Sequence, residues 1–228
     1  AALMRDGKEA RFVGGCVRNA LMHLPIKDID IATQETPDRV IVLLEAAGIR
    51  AVPTGIDHGT ITAVVNHRSF EITTLRRDVA TDGRRATVAF TEDWREDAAR
   101  RDFTFNTLSA TQDGIIYDYF NGMPDLAHRL IRFVGRVDER IKEDRLRILR
   151  YFRFIAVYGM RIAERYEFQV CVNNAESLRE LSGERIRDEL LKILGSANHH
   201  DAVRMMFDEG IFEVILPEVK DTVWFKRL

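Results

Sequence analysis

"RFVGGCVRNALMHLPIKDIDIAT" (residues 11–33) sets a glycine pair, an arginine and two aspartates in close order. "EARFVGG" reads as a short strand ending in Gly14-Gly15. "CVRNALMH" then has helical spacing, with Val17, Ala20 and Leu21 on one face. "KDIDIAT" alternates and reads as a second strand. Residues i and i+2 of a strand face the same way, so Asp28 and Asp30 lie side by side while Ile29 and Ile31 point to the core. Two like charges that close raise one another's pKa and are costly unless a cation sits between them. Mg²⁺ suits such a place, since it takes a few carboxylates together with substrate phosphate oxygens. For the pair alone, an exposed edge strand showing two acids to water is an equal reading. The upstream stretch favours the metal. Backbone N–H groups at a helix start, cleared of side chains by glycine, form an anion site. Arg18, one turn in, adds a phosphate-binding fork.

The chain has 228 residues, 46% hydrophobic and 31% charged. That is enough apolar material for a core and fits one large or two small domains. No apolar run reaches the roughly 18–20 residues that span a bilayer, so no membrane is expected. No secretory signal is read at the start. Cys16 and Cys171 are the two cysteines. They have no metal-ligand spacing and read as small buried hydrophobes in a reducing compartment, with a cytoplasmic location expected. Net charge is −2. Residues 129–165 nevertheless hold eleven Lys/Arg against five Asp/Glu, which suggests an anionic partner at one place or a solvated helix face.

Periodicity divides the chain. "TPDRVIVLLEAAG" reads as a helix with Pro37 near its start and Gly48 past its end. "TITAVV" and "SFEITTLR", separated by "NHR", read as a hairpin. Residues 77–95, with Gly83 and the charged "DGRR", read as a long functional or mobile loop. After about residue 135 the pattern turns helical: "DERIKEDRLRILRYFRFIAVYG" as one long helix, "SGERIRDELLKILG" with Ser182 as its cap, and "HDAVRMMFDEG". Strands followed by helices predict an α+β chain, with a head over residues 1–135 and a helical part over 136–228. The last stretch has no closing signal, and a truncated helical body is expected.

With these motifs in order, the chain resembles the DNA polymerase beta-type nucleotidyltransferase superfamily, in the branch of class II tRNA nucleotidyltransferases and bacterial poly(A) polymerases. "RFVGGCVRNALMHLPIKDIDIAT" resembles motif A, "ARRDFTFNTL" (99–108) motif B, "GRVDERIKEDRLRILRYFRF" the neck region, and "ERIRDELLKIL" motif E. Asn19 departs from the pattern, since many members have Asp there, at a position that supports the turn rather than the chemistry. The resemblance implies a nucleotidyltransferase head with a mixed sheet, followed by an all-α neck and partial body that binds nucleotide and tRNA. It implies that C, C and A are added to the 3′ end of tRNA from CTP and ATP, with Mg²⁺ held by Asp28 and Asp30. Gly15 and Arg18 would meet the phosphates. Arg101, with Asp102, would lie near the ribose. Asp144 and Arg147 would read the base, with Arg150 and Arg153 near base and phosphates.

Asp144, Arg147, Arg150 and Arg153 recur every three residues, beside an apolar face of Leu146, Leu149 and Phe152. A solvated charged face is the plain alternative for any one of them, as a helix-start ion pair is for Arg101 and Asp102. Asp accepts only and Arg donates only. That pair fits the amine and ring nitrogen of cytosine and adenine and misfits uracil and guanine. Glu71 could be a third carboxylate or an exposed strand acid. "NHHD" (198–201) reads as surface and His58 as a turn residue. Poly(A) polymerase activity, or addition of CC or A alone, is the alternative within the family. "AAGIRAVPTGIDHGTITAVV" after motif A lacks the basic signature usual in the poly(A) branch. An inactive RNA-binding module is the alternative outside the family.

Overall fold

The structure is a computed structural model describing residues 2–5, 7–81 and 86–219, without the side chains of 78–88. The described residues divide into two compact units, one within 2–81 and 86–124 and the other within 125–219.

The first unit is built on a seven-stranded mixed sheet. Its strands are β1 (Ala10–Val13), β2 (Asp30–Thr33), β3 (Arg50–Gly55), β4 (Thr60–Val65), β5 (Arg68–Thr74) and, omitting the two strands of a separate ribbon, β8 (Ser109–Ala110) and β9 (Ile116–Tyr117). The order across the sheet is β3-β4-β5-β2-β1-β8-β9. β2 runs antiparallel to β1 and parallel to β5. Helix α1 (Gly15–Leu21) follows β1 directly, and α2 (Pro37–Glu45) packs Val40 and Leu44 on Ile61, Ala63 and Ile72 of the sheet. Each such buried aliphatic side chain contributes about 1.5–3 kcal/mol. The α2 boundaries follow the sequence: Pro37 opens it, and Gly48, at φ +70°, lies just past its end.

The expected hairpin is present. β4 and β5 pair from Thr60↔Thr73 to Val65↔Arg68 across a two-residue turn. Asn66 and His67 both have positive φ (49° and 62°), the conformation of a type I′ turn, whose twist matches that of the strands.

Two expectations change. The strand carrying the aspartates begins only at Asp30, and residues 24–29, Asp28 included, have no regular structure. Register gives the reason. Phe12 pairs with Ile31, and β1 gives way to helix α1 just after Val13, so the chain before Asp30 has no neighbour on that side. Residues 77–95 are not one loop. They hold most of the antiparallel ribbon of β6 (Arg76–Thr81) and β7 (Ala86–Phe90) and the start of α3 (Trp94–Ala99). Its "DGRR" (82–85), with Gly83, lies outside the described residues.

Helix α4 (Gly122–Ala127) carries the chain into the second unit. Strand β10 (Leu130–Ile131) pairs in parallel with β11 (Arg161–Ile162). The Phe133 N–H reaches the carboxylate of Glu167 in α7 (Arg165–Asn173). Residues 125–135, assigned to the head from sequence, are thus tied to the helical unit. The long neck helix is two helices, α5 (Val137–Glu143) and α6 (Leu146–Tyr158), broken at Asp144 in extended conformation (φ −153°, ψ 107°). The Asp144 carboxylate accepts from the Leu146 N–H (3.1 Å), a local bond by which aspartate starts a helix rather than continuing one. Below the break, Ile148, Leu149, Tyr151, Phe152 and Ile155 are buried. Phe133 stacks on Tyr151, and Phe152 meets Tyr151 and Phe168 edge-on. α8 (Gly183–Leu194) and α9 (His199–Asp208) complete the packing on α6, with α10 (Ile211–Ile215) beyond. Ser182 stands at the α8 N-cap with extended backbone but no side-chain cap bond.

Candidate active site

The first unit gathers Gly14, Gly15, Arg18, Asp28, Asp30 and Arg101 around the start of α1. Gly14 has φ 67° and ψ −122°, open to glycine and strained for other residues. A Cβ on it would stand 2.7 Å from Nη1 of Arg101, and one on Gly15 would stand 3.6 Å from Nη2 of Arg18. Gly14 therefore clears the turn for the Arg101 guanidinium, which the sequence does not show, while at Gly15 the distance to Arg18 is an ordinary contact.

Both arginines are held firmly. Arg18 is 7% exposed. Its Nη1 donates to Asn106 Oδ1 (2.6 Å), and its Nε and Nη2 donate to Asn19 Oδ1 (3.1 and 2.8 Å). Asn19 Nδ2 in turn donates to the Pro25 carbonyl (3.0 Å), at the start of the segment that leads to Asp28. This agrees with the supporting role expected for Asn19. Arg101 pairs with Asp97 of α3 (3.2 Å) and reaches the Asn106 carbonyl (3.4 Å). Burial works to raise the Asp97 carboxyl, but Arg100, Arg101 and the Arg76 N–H outweigh it and hold it below the usual carboxylate range. Asp102 accepts from the Phe103 N–H (2.9 Å) and Asn106 Nδ2 (2.8 Å).

Asp30 is half-buried at the head of β2, while Asp28 is exposed. Burial raises the Asp30 carboxyl, Arg101 opposes the shift, and the Asp28 charge adds to it. The two carboxylates thus interact although Asp28 lies outside the ladder. Glu71 stands directly opposite Asp30 across the β2–β5 pairing, also exposed. That alignment is invisible in sequence, because β2 and β5 are separated by two strands and a helix. Among the described residues no group of three or more His, Cys, Asp or Glu is arranged to hold a metal ion. Two carboxylates, one pushed up by burial and by the other, are a donor set that a hard divalent cation with phosphate oxygens would complete.

The neck residues lie in the second unit. Asp144 is bound by Arg185 of α8 through both carboxylate oxygens (3.0 and 2.9 Å). Arg147 donates to the Arg140 carbonyl (2.8 Å) and pairs with Glu143 (2.5 Å). Its backbone N–H donates to the Asp144 carbonyl (3.1 Å), but the two side chains take these different partners. Arg153 pairs with buried Glu189 (3.0 Å) and lies over the Phe154 ring at 4.9 Å, with Arg150 at 5.9 Å. The stripe read as one helix face is in fact Asp144 at a helix break and three arginines on α6. Elsewhere, His199 Nδ1 lies 2.7 Å from the Ser196 carbonyl, and His58 sits in a one-turn 3₁₀ helix, Ile56–His58, as its turn role requires. Cys16 and Cys171 are free and buried.

The family described as the poly A polymerase head domain matches residues 10–132. The family described as "Probable RNA and SrmB- binding site of polymerase A" matches residues 159–222. The chain is 44% identical over 214 residues to the CCA tRNA nucleotidyltransferase 1, mitochondrial, of Mus musculus, covering 91% of this chain and 48% of that protein. It is 39% identical over 213 residues to a CCA-adding enzyme of Lactobacillus delbrueckii subsp. bulgaricus, covering 92% of this chain and 52% of that protein. The crystal structure of the Bacillus stearothermophilus CCA-adding enzyme in complex with CTP matches with a TM-score of 0.83 at 34% identity, over 92% of this chain and 50% of that one. The chain spans about half the length of the curated relatives it matches. No helix among the described residues is long and apolar enough to cross a membrane. With one family covering residues 10–132, and relatives and a solved structure agreeing over nine-tenths of its length, the chain belongs to the poly A polymerase head family, in its class II tRNA nucleotidyltransferase branch.

Proposed function

We propose that this protein adds C, C and A to the 3′ end of tRNA from CTP and ATP without a nucleic-acid template. The observation that carries the reading is the interacting Asp28–Asp30 pair beside a glycine turn flanked by Arg18 and Arg101. In the reaction the primer 3′-hydroxyl oxygen attacks the α-phosphorus, the bond to the β-phosphate oxygen breaks, and pyrophosphate leaves. Asp28 and Asp30 would hold Mg²⁺. When bound, it supplies Lewis-acid activation of the hydroxyl and neutralises the leaving group. Gly15 leaves backbone room for the triphosphate, Arg18 donates to it, and Arg101 donates to the ribose.

Asp144 accepts from the exocyclic amine of cytosine or adenine, and Arg147 donates to the adjacent ring nitrogen. Both then exchange their present partners, Arg185 and Glu143, for the base. Arg150 and Arg153 lie toward base and phosphates. The head spans the first unit and the nucleotide-template and tRNA-binding part the second. The free buried cysteines suit a reducing compartment such as the cytoplasm, and the mouse relative named above is mitochondrial.

The test is incorporation of α-³²P-labelled nucleotides into tRNA ending before CCA, after C, and after CC. Addition of two C and one A, then arrest, is expected. Repeated A addition would assign the protein to the poly(A) side of its family, and addition that stops after CC, or of A alone, to a partial enzyme. No incorporation with intact tRNA binding would leave an RNA-binding module.

A further inference from the structure

Asn106 is the hub of the polar network at the turn. Its side-chain oxygen accepts from Arg18 (2.6 Å), its side-chain nitrogen donates to Asp102 (2.8 Å), and its backbone carbonyl receives Arg101 (3.4 Å). It is 7% exposed, at the end of the one-turn 3₁₀ helix Thr104–Asn106, which packs against α1. An amide is the side chain that offers a donor and an acceptor from one planar group, so it can join a carboxylate to a guanidinium in a fixed geometry. The same residue borders the turn: a Cβ on Gly14 would stand 3.7 Å from the Asn106 carbonyl oxygen, an ordinary contact distance. A side chain as long as that of Arg18 loses much rotamer freedom when so held, and the loss is met before any ligand arrives.

We propose that Asn106 is a positioning residue that fixes Arg18 against the Arg101–Asp102 segment, so that the triphosphate meets a guanidinium already aimed. Asn106 does not touch substrate. It acts through Arg18, and the proposal rests on the reading of Arg18 as a triphosphate contact. The effect falls on binding of every nucleotide alike, because the phosphates are common to all.

The test is steady-state kinetics of the full-length protein on a tRNA primer, for Asn106→Ala, Arg18→Ala and the double variant. Melting temperature is followed for each. Asn106→Ala is expected to raise KM for both CTP and ATP by about fivefold or more while KM for tRNA and the preference for C over U stay unchanged. The double variant is expected to be no worse than Arg18→Ala alone, because the two residues act as one unit. If Asn106→Ala does not fold, Asn106→Ser is read by the same criteria. An unchanged nucleotide KM in a folded Asn106 variant overturns the inference, as does a loss additive with that of Arg18→Ala. An unchanged nucleotide KM in Arg18→Ala itself overturns the phosphate reading of Arg18 and this inference with it.

Discussion

Asp30 stands where two demands meet. It opens β2, where its backbone pairs with Glu71 of β5, and its carboxyl is raised by burial against the opposing Arg101, with Asp28 adding to the shift. A group so placed is stabilised when a cation arrives. Asp28→Ala or Asp30→Ala should therefore reduce labelled CMP incorporation by at least about a hundredfold, with tRNA binding near normal. Near-normal turnover in either variant with Mg²⁺ would remove the carboxylate pair from the chemistry. The base-reading residues test separately. Arg147 is engaged with Glu143 and the Arg140 carbonyl, which holds it in place but leaves its role to be shown by specificity. Arg147→Ala should relax the choice of C and A over U and G. A hydrogen bond to a charged group contributes about 1.5–3 kcal/mol, so roughly ten- to a hundredfold discrimination is at stake. Measured on one primer, a uniform slowing with C and A still strictly preferred would make Arg147 a structural residue. At this scale the sequence shows which chemistry is present but not its partners. The Gly-Gly-x-x-Arg and Asp-x-Asp patterns are local and legible. The Arg101 guanidinium over Gly14, and Glu71 opposite Asp30, arise from long-range register and are not.

Elements were legible where one local signal dominates. Helix α2 has Pro37 and Gly48 at its ends, and the β4–β5 hairpin has an Asn-His turn in the left-handed region. They were missed where two signals compete. The α5–α6 stretch keeps its apolar period across Asp144, so periodicity hides a break that the Asp144 side chain makes by bonding the Leu146 N–H. The β6–β7 ribbon has too few alternating apolar residues to rise above its polar composition. Packing between elements also sets titration. Glu167 of α7 is buried and accepts from the Phe133 N–H, and its charge interacts with Arg132, Glu164, Asp125, Tyr151 and Cys171. Burial is the main cause of its rise from 4.5 to about 7. Glu164 and Asp125 add to it, while the Phe133 N–H and Arg132 oppose it. Between those values the folded chain keeps a proton that the unfolded chain has lost. The contribution of Glu167 is therefore full below pH 4.5 and falls as pH rises toward about 7. Melting temperature measured across that window should decline more in the parent than in Glu167→Gln, which has no proton to lose. Parallel profiles would place the titration elsewhere.

For the whole molecule, net charge and local charge give different expectations of RNA binding. The chain is at −2, yet residues 129–165 hold eleven Lys/Arg and five Asp/Glu. Were every one of those cations to displace a counterion from a phosphate, the logarithm of affinity would fall with the logarithm of salt at a slope of about −10. Ion pairing within the second unit argues for much less. Arg132 is paired with Asp125 and Glu164, Arg136 with Glu139, Arg140 and Arg147 with Glu143, Arg145 with Glu180, and Arg153 with Glu189. Asp125, Glu180 and Glu189 lie outside the basic stretch, so a count along the sequence misses their compensation. At least six of the eleven cations thus already face carboxylates, and Glu189, at 4% side-chain exposure, is too deep to yield Arg153 readily to a solvent-exposed phosphate. Even if all the rest engaged phosphates, they would contribute about −0.7 to −0.9 each at most. A salt titration of tRNA binding should therefore give a slope shallower than about −6, even with contributions from a few cations outside this stretch. A slope near −10 would mean that these ion pairs open when RNA binds, and that the helical unit meets the nucleic acid in a different side-chain arrangement from the one it holds alone.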